Sequence, residues 1–290
     1  MKNMEELVFT SGRGTVTIGG APPYILNSFD AGAPKSNLIT TSAPGQDGKT
    51  VESQLLEERA PSITLTIHGD SVDDLYQKRR KLFAIFSPKL SGTLQYTNDA
   101  GTRAIPCVVD GEPTVKPRVG CGMQILIQLF CPDPYWLDTE ETKMGIALWM
   151  GDFSFPFSIP QNVGIELGHR VSNLIVNAYN PGDVPCGLRI EFTALATVEK
   201  PSILNVNTRE LMKVKRTMAA GDKIIINTAL GNETVRMNHG GVETNVMNYI
   251  DIESDFFQLA PGDNLLRYDT ESGIDNLECA IYYTPKYVGA

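Results

Sequence analysis

The sequence predicts a mainly β protein made of two sandwich domains. Short runs of alternating apolar and polar residues recur along its 290 positions, and Gly, Pro, Asn and Asp separate them. Residues 71–88 have helical spacing instead, whereas the second half has almost no helix signal. We therefore expect an N-terminal α+β sandwich with one helix and an extended arm or hairpin, followed by a C-terminal β-sandwich of jelly-roll or lectin-like topology.

The first domain is predicted to begin with short strands, an arm and a half-buried strand. VFTSGRGTVTIGGAPPYIL (8–26) alternates β-branched with small or polar residues and is broken by Gly and Pro. From Asp30 to Thr50 the chain is rich in small and polar residues, which predicts a long loop or an extended arm. In PSITLTIHG (61–69), Ile63, Leu65 and Ile67 alternate with polar residues, as expected for a strand with one buried face.

The predicted helix is SVDDLYQKRRKLFAIFSP (71–88). Ser71 is placed to cap it, and Asp74 lies at the capping-box position three residues on. Val72, Leu75 and Tyr76 belong to an apolar set that shares one helix face, while the basic run KRRK (78–81) turns mostly outward. We interpret this run as a solvated helix face, with a phosphate-binding patch as the alternative.

A domain boundary is predicted near residue 140. Three strand-like runs follow the helix and lead to CPDPYW (131–136), whose two prolines interrupt sheet pairing. This divides the chain into domains 1–140 and 141–290. Cys131 follows an apolar strand, and the sequence spacing suggests no histidine base that could activate its thiol. We therefore interpret the segment as a hinge rather than a reactive site. The predicted domain-junction residues are Pro132, Pro134, Tyr135 and Trp136.

The second half is predicted to contain many short antiparallel strands. Turn signals such as NPGD, AAGD, LGNE and APGDN separate the candidates. The candidates are FSFPFSI, VSNLIVNAY, CGLRIEFTAL, ILNVNT, ELMKVKR, DKIIINT, TVRMN, MNYID, FFQLA, NLLRYDT and LECAIYYT.

Charge and composition exclude several classes of function. The net charge is −9, so the chain lacks the basic footprint of a nucleic-acid-binding protein, although an acidic surface suits a passage through which DNA slides without sticking. No secretory signal and no stretch of eighteen apolar residues is recognisable, so we expect no membrane span. The five dispersed cysteines are typical of reduced, isolated thiols made in a cytosol.

Motifs for catalysis or cofactor binding are weak. APGQDGKT (43–50) has Gly48, Lys49 and Thr50 in P-loop order, but Ala43 replaces the glycine, and no parallel-sheet pattern follows. The three histidines, His68, His169 and His239, stand far apart without ligand spacing. We therefore predict no catalytic residues, no metal and no cofactor. An enzyme that uses the 43–50 loop is the alternative.

Ordered sequence blocks resemble a known family, the distal tail proteins of long-tailed bacteriophages of Gram-positive bacteria, also called the siphovirus tail component family. The blocks of the first half are LYQKRRKLFAIFSPKLSGTLQY and MQILIQLFCPDPYW. Those of the second half are NAYNPGDVPCGLRIEF, FFQLAPGDNLLRY and IYYTPKYVGA. Together they cover both halves in order, and their combination is more specific than any one block.

The resemblance implies a non-enzymatic hub in the virion, at the distal end of the tail. In this family the N-terminal domain forms a hexameric ring around a DNA channel, as one ring or two stacked rings, and the C-terminal domain is galectin-like. The implied partners are the tail-tube protein, a tail-associated lysin or tail-fibre protein, and receptor-binding or baseplate proteins. DNA passes without specific binding, no membrane is involved, and synthesis takes place in the host bacterial cytoplasm.

The arm is the segment that we expect to reach a neighbouring subunit, because a polar extension gains little by staying free in solution. Its predicted interface residues are Pro44, Gly45, Asp47, Lys49 and Arg59. The alternative function is a lectin-like adhesion module that binds host cell-wall carbohydrate. Its candidate aromatics, which we otherwise assign to the core, are Trp149, Phe153, Phe155, Phe157, Tyr179, Phe256, Phe257, Tyr282 and Tyr283.

Overall fold

The computed structural model of the chain describes residues 5–150, 169–172 and 175–290. The chain divides into two compact units, one formed by Met1–Thr139 with Tyr287–Ala290 and the other by Glu140–Lys286. The first unit is thus built from two stretches of sequence, whereas a linear division at residue 140 assigns the last residues to the second domain. Among the described residues, no helix has the length and apolar character needed to span a bilayer.

The first unit is mainly β with one long helix in its described part. The helix α1 spans Val72–Ile85. The strands are β1 (Glu6–Ser11), β2 (Gly14–Ile18), β3 (Tyr24–Asp30), β4 (Ser36–Thr41), β5 (Thr50–Leu56), β6 (Ser62–His68), β7 (Ser91–Asn98), β8 (Gly101–Val109), β9 (Thr114–Val115), β10 (Gly122–Phe130) and β11 (Trp136–Asp138).

A long antiparallel sheet builds the core of this unit. Its main path runs β2-β1-β7-β8-β10-β6-β3, and each neighbouring pair is antiparallel. On β6, Ile63, Leu65 and Ile67 are fully buried, so the predicted alternation is confirmed. The residues of β10 that pair with them are also apolar and buried, so the two strands share a continuous buried apolar face.

The helix packs on this sheet much as its sequence predicts. The Ser71 side chain accepts a hydrogen bond from the Asp74 N–H at 3.2 Å, so the predicted cap is confirmed. Phe86, just after the helix, stacks on Phe9 with ring centroids 4.1 Å apart. The predicted apolar face is too wide, however. Val72 and Tyr76 are exposed, because the buried stripe follows Leu75, Leu82 and Ile85.

The second unit contains two facing sheets and a small third sheet in its described part. The strands are β12 (Thr142–Met150), β13 (His169–Ser172), β14 (Ile175–Asn180), β15 (Leu188–Ala194), β16 (Val198–Glu199), β17 (Ser202–Asn205), β18 (Leu211–Lys213), β19 (Thr217–Met218), β20 (Lys223–Asn227), β21 (Thr234–His239), β22 (Val242–Asn245), β23 (Gly262–Asp269), β24 (Leu277–Tyr283) and, at the division between the units, β25 (Lys286–Tyr287). The larger facing sheet has the order β13-β12-β24-β15-β20-β21-β22, and the smaller has the order β14-β23-β17-β18. The third sheet pairs β16 with β19.

Alternating apolar residues of both sheets form the core of the sandwich. Ile190 and Phe192 of β15 point into the same cluster as Ile203 of β17 and Leu266 of β23, and all four are fully buried. Two facing sheets with such alternation are the pattern expected for a β-sandwich. The mainly β fold class is therefore confirmed.

Two predicted strands of the second unit are wrong. MNYID contains a 3-10 helix, Met247–Tyr249, which is closed by a hydrogen bond from the Ile250 N–H to the Met247 carbonyl. FFQLA has no strand assigned within it. Phe257 and Leu259 are buried at alternate positions, which is the periodicity of a strand. The pairing, however, is limited to an isolated bridge between Leu259 and Cys186. The predicted strand FSFPFSI lies outside the described residues.

Glu271 makes part of the second unit's stability depend on pH. Its carboxylate accepts hydrogen bonds from Lys200 Nζ at 2.6 Å and Lys213 Nζ at 2.8 Å, and these bonds lower the pKa of Glu271. The stabilisation is thus present above the unfolded-state pKa and is lost as the pH falls through the folded-state pKa. We expect the urea concentration at the unfolding midpoint to be lower for Glu271→Gln than for wild type at pH 7. Near pH 2 the two midpoints should be equal. An equal deficit at both pH values would contradict this charge-based explanation.

Candidate assembly site

The predicted arm is a two-stranded hairpin formed by β4 and β5. The two strands pair antiparallel from Ser36–Leu56 to Thr41–Thr50 and make a separate two-stranded sheet. Nearly all of its residues are exposed. A hairpin of this kind is only marginally stable in water by itself, so burial against another surface would stabilise it.

Both faces of the hairpin carry apolar side chains. Leu38, Ile39, Val51 and Leu55 are 51%, 46%, 55% and 58% exposed. Leu38 and Ile39 are adjacent in β4, so they point to opposite faces. Leu55 pairs with Asn37 and so lies on the Ile39 face. Contiguous exposed apolar groups are typical of interaction surfaces, and here they lie on both faces of the hairpin.

The hairpin tip holds four of the predicted interface residues, Pro44, Gly45, Asp47 and Lys49, and all four are exposed. Gln46 closes the turn, because its Oε1 accepts from the Ala43 N–H at 3.0 Å and its Nε2 donates to Thr50 Oγ1 at 3.0 Å. Gly45 and Gly48 have φ values of 83° and 81°, where a side chain would be strained.

The tip geometry argues against a phosphate-binding loop. A P-loop joins a strand to a helix N-terminus, where backbone N–H groups and the helix dipole hold the phosphate. Here the loop joins β4 to β5, and the next helix in the described chain, α1, begins only after β6. The Gly48-Lys49-Thr50 order is therefore part of a β-hairpin turn.

Arg59, the fifth predicted interface residue, lies at the base of the hairpin and is only 4% exposed. Its Nε donates to the Pro134 carbonyl at 2.7 Å, and its Nη2 donates to the Val288 carbonyl at 2.7 Å. Its Nη1 donates to the Gly32 and Ala31 carbonyls at 3.0 and 3.3 Å. Burial lowers the pKa of Arg59. Arg59 is therefore an internal anchor of the hairpin base, and its guanidinium does not belong to the exposed surface.

The predicted junction segment leads into the core of the first unit. Pro132 is exposed, Pro134 and Tyr135 are half-buried, and Trp136 is fully buried. Arg59 Cζ lies 5.8 Å from the Trp136 ring centre, and Tyr96 packs at a centroid distance of 6.4 Å. The described residues offer no hydrogen-bond partner to the indole Nε1. Trp136 is thus a core side chain of this unit, and the junction role stays a prediction.

A histidine–aspartate pair lies in a cleft of the second unit. His239 Nδ1 is 2.6 Å from Oδ1 of the buried Asp222, whose Oδ2 accepts from the Ala219 N–H at 2.8 Å. The cleft measures about 480 Å³ and is also lined by Arg216 and Thr217. No motif in the sequence points to this pair, because its members are 17 positions apart. Within the described residues, no three His, Cys, Asp or Glu side chains form a group that could hold a metal ion.

The candidate sugar-stacking aromatics of the second unit are divided between core and surface. Phe257 and Tyr283 are buried, and Phe256 and Tyr282 are half-buried. Tyr179 is exposed. The side chains of Trp149, Phe153, Phe155 and Phe157 lie outside the described part of the chain.

Family models match both halves of the chain in order. Residues 14–131 match a phage tail protein RIFT-related domain, and residues 181–287 match a siphovirus-type tail component, C-terminal domain. The two matched segments include β2 to β10 of the first unit and β15 to β24 of the second. No curated protein matches the sequence significantly.

Solved structures share the fold over nearly the whole chain. The crystal structure of SPP1 Dit, described as a paradigm of the hub adsorption apparatus in phages infecting Gram-positive bacteria, has a TM-score of 0.69 at 12% identity and covers 97% of this chain and 98% of its own. A chain of the phage P2 baseplate activated with calcium has a TM-score of 0.57 at 12% identity and 100% coverage of both chains. A chain of the phage p2 baseplate activated with strontium has a TM-score of 0.57 at 12% identity, and the match covers 99% of both chains.

Proposed function

Since the chain belongs to the siphovirus tail component family, we propose that it is a non-enzymatic structural hub at the distal end of a phage tail. Matches to the models of both family domains, in order along one chain, carry this proposal. The fold shared with SPP1 Dit, whose structure is described as a hub paradigm, supports it further.

The proposed assembly is a homo-hexameric ring, in which the β4–β5 hairpin contacts a neighbouring copy of the chain. A head-to-tail ring needs two different surfaces on each subunit, and a projecting hairpin supplies one of them. The two apolar faces of the hairpin support this assignment, because a neighbouring subunit would remove them from water. Arg59 fixes the base, so the hairpin starts from a rigid point.

The proposed hub connects the tail tube to the proteins below it. Its partners would be the tail-tube protein on one side, and a tail-associated lysin or tail-fibre protein with receptor-binding or baseplate proteins on the other. The net charge of −9 supports a channel through which DNA moves without specific binding. The chain would be made in the host bacterial cytoplasm and reside in the virion, at the distal end of the tail.

The double variant Leu38→Ser, Leu55→Ser tests the hairpin contact. We expect wild type to give hexamers in native mass spectrometry and six-lobed rings in electron microscopy. The double variant should be monomeric, because it removes one large apolar side chain from each hairpin face. Its thermal midpoint should stay within about 2 °C of wild type, since both residues are exposed.

A matched control is Ile252→Ser in the second unit, where the side chain is 94% exposed. This variant should keep the hexamer, because it changes surface hydrophobicity away from the hairpin. Hexamers that persist in the double variant would refute the hairpin contact. A wild-type chain that stays monomeric at high concentration, even when mixed with its tail-tube protein, would refute the ring.

A further inference from the structure

Two buried cysteines face each other across neighbouring strands of the first unit. Strands β8 and β10 pair antiparallel, with Leu129 opposite Val109 and Phe130 opposite Val108. One step further in the same register places Cys131 opposite Cys107. Both residues are buried among the core side chains. All five cysteines are free thiols, as the sequence predicts. These two are not isolated, however, because strand pairing brings together residues that are distant in sequence.

The hydrogen-bond pattern defines the kind of pair they make. Asp110, which directly follows β8, lies opposite Gln128 of β10 in the same register. The Asp110 N–H donates to the Gln128 carbonyl, so these two residues form a hydrogen-bonded pair. Because antiparallel pairs alternate, Cys107 and Cys131 fall at a non-hydrogen-bonded position. The Cys131 backbone instead exchanges two hydrogen bonds with Arg59 on its other side, at 2.8 and 3.1 Å. Cα atoms at such positions are about 4.5 Å apart, which is within the range that a disulfide spans.

The two thiols also influence each other's ionisation. The Cys131 thiol lowers the pKa of Cys107. The Cys107 thiol, together with burial, raises the pKa of Cys131. Two cysteines at directly opposed strand positions can serve as an attacking and a resolving cysteine.

We infer that Cys107 and Cys131 form an oxidation site, at which hydrogen peroxide or a small organic hydroperoxide converts the buried dithiol into a disulfide between β8 and the end of β10. The register of β8 and β10, which places the two cysteines opposite each other, supports this inference.

The reaction balances with peroxide as the oxidant. The Cys107 thiolate attacks one peroxide oxygen, the O–O bond breaks, and a sulfenic acid forms while hydroxide leaves. The Cys131 sulfur then attacks Cys107 Sγ, the S–O bond breaks, and the S–S bond forms. The second hydroxide takes up the Cys131 proton. The first hydroxide takes up the proton that Cys107 lost on ionising. The two thiols lose two electrons in total, and hydrogen peroxide becomes two water molecules, whereas an organic hydroperoxide becomes one alcohol and one water molecule.

The bond would strengthen the base of the hairpin. Cys131 shares its backbone hydrogen bonds with Arg59, so a disulfide there holds β8, β10 and the Arg59 anchor together. The timing rests on the proposed function, since the dithiol of a chain made in a reducing cytoplasm is kept reduced until the virion is released. The chemistry of the pair does not depend on that location.

Mass spectrometry of the full chain tests the inference. The protein is reduced with dithiothreitol, freed of reductant, treated with hydrogen peroxide and alkylated under denaturing conditions. We expect a cross-linked peptide pair containing Cys107 and Cys131, reversible by dithiothreitol. The thermal midpoint of the first unit should rise by roughly 5–10 °C, because the bond closes a long loop in the unfolded chain. Cys186 and Cys279 of the second unit should remain alkylatable.

Single substitutions provide matched controls. Cys131→Ser should abolish the cross-link and leave Cys107 to oxidise beyond the sulfenic acid, whereas Cys279→Ser removes another buried thiol and should leave the cross-link intact. Two free thiols in oxidised wild type, a sulfinic acid on Cys107, or a disulfide to Cys121 would each overturn the inference. A monomeric chain that forms the Cys107–Cys131 bond would refute the ring and leave the oxidation site standing.

Discussion

Replacing Trp136 with alanine is expected to lower the free energy of unfolding of the first unit by about 4 kcal/mol. The Trp136 side chain is fully buried, and its removal leaves a large cavity among Tyr96, Arg59 and the rest of the core. Hydrogen exchange measured by mass spectrometry on β6 and β10 peptides would report the loss. Because both peptides belong to the first unit, their exchange rates report opening of that unit and not unfolding of the second.

Trp136→Phe is the matched control. Phenylalanine keeps much of the ring volume and removes an indole N–H that has no hydrogen-bond partner among the described residues. We expect this variant to lose only about 1 kcal/mol. If Trp136→Ala cost less than Trp136→Phe, the indole would not be filling the core.

Replacing Arg59 with alanine is expected to destabilise the first unit by about 3 kcal/mol. The guanidinium donates to the carbonyls of Pro134, Gly32, Ala31 and Val288, and these acceptors would lose their buried donor together. The hairpin base depends on the same residue, so amide exchange should also speed up at the start of β4 and the end of β5. Both effects can be read from one hydrogen-exchange experiment.

Two further variants separate charge from geometry at Arg59. Arg59→Lys keeps a positive charge but loses the planar fork that reaches several carbonyls, so we expect an intermediate loss of about 1–2 kcal/mol. Lys49→Ala at the exposed hairpin tip should change stability by less than about 0.5 kcal/mol. A lysine variant as stable as wild type would mean that the charge alone suffices.

Local patterns predicted the elements that form from neighbouring residues. The Ser71 cap and the buried alternation of Ile63, Leu65 and Ile67 depend on spacing within a few positions, and both are confirmed. The failures at MNYID and FFQLA have the opposite origin. A strand requires a partner strand, and alternation at Phe257 and Leu259 says nothing about whether a partner lies beside it.

Sequence reasoning could not distinguish an exposed arm residue from an anchor. Arg59 follows a polar segment and carries a charge, so composition places it at the surface, yet carbonyls from three distant segments surround it. The sequence does not reveal the Cys107–Cys131 pair for the same reason, because its opposed positions follow from the β8–β10 register. Long-range pairing is the information that a single sequence does not display.

The return of residues 287–290 to the first unit affects the order in which the chain can fold during synthesis. Arg59 and Val288 are hydrogen-bonded at 2.7 Å although they are 229 positions apart. On the ribosome, the hairpin base therefore stays without one of its acceptors until the whole second unit has been translated. A growing chain would hold an incompletely anchored hairpin, so that full anchoring of this surface waits until Val288 has been synthesised.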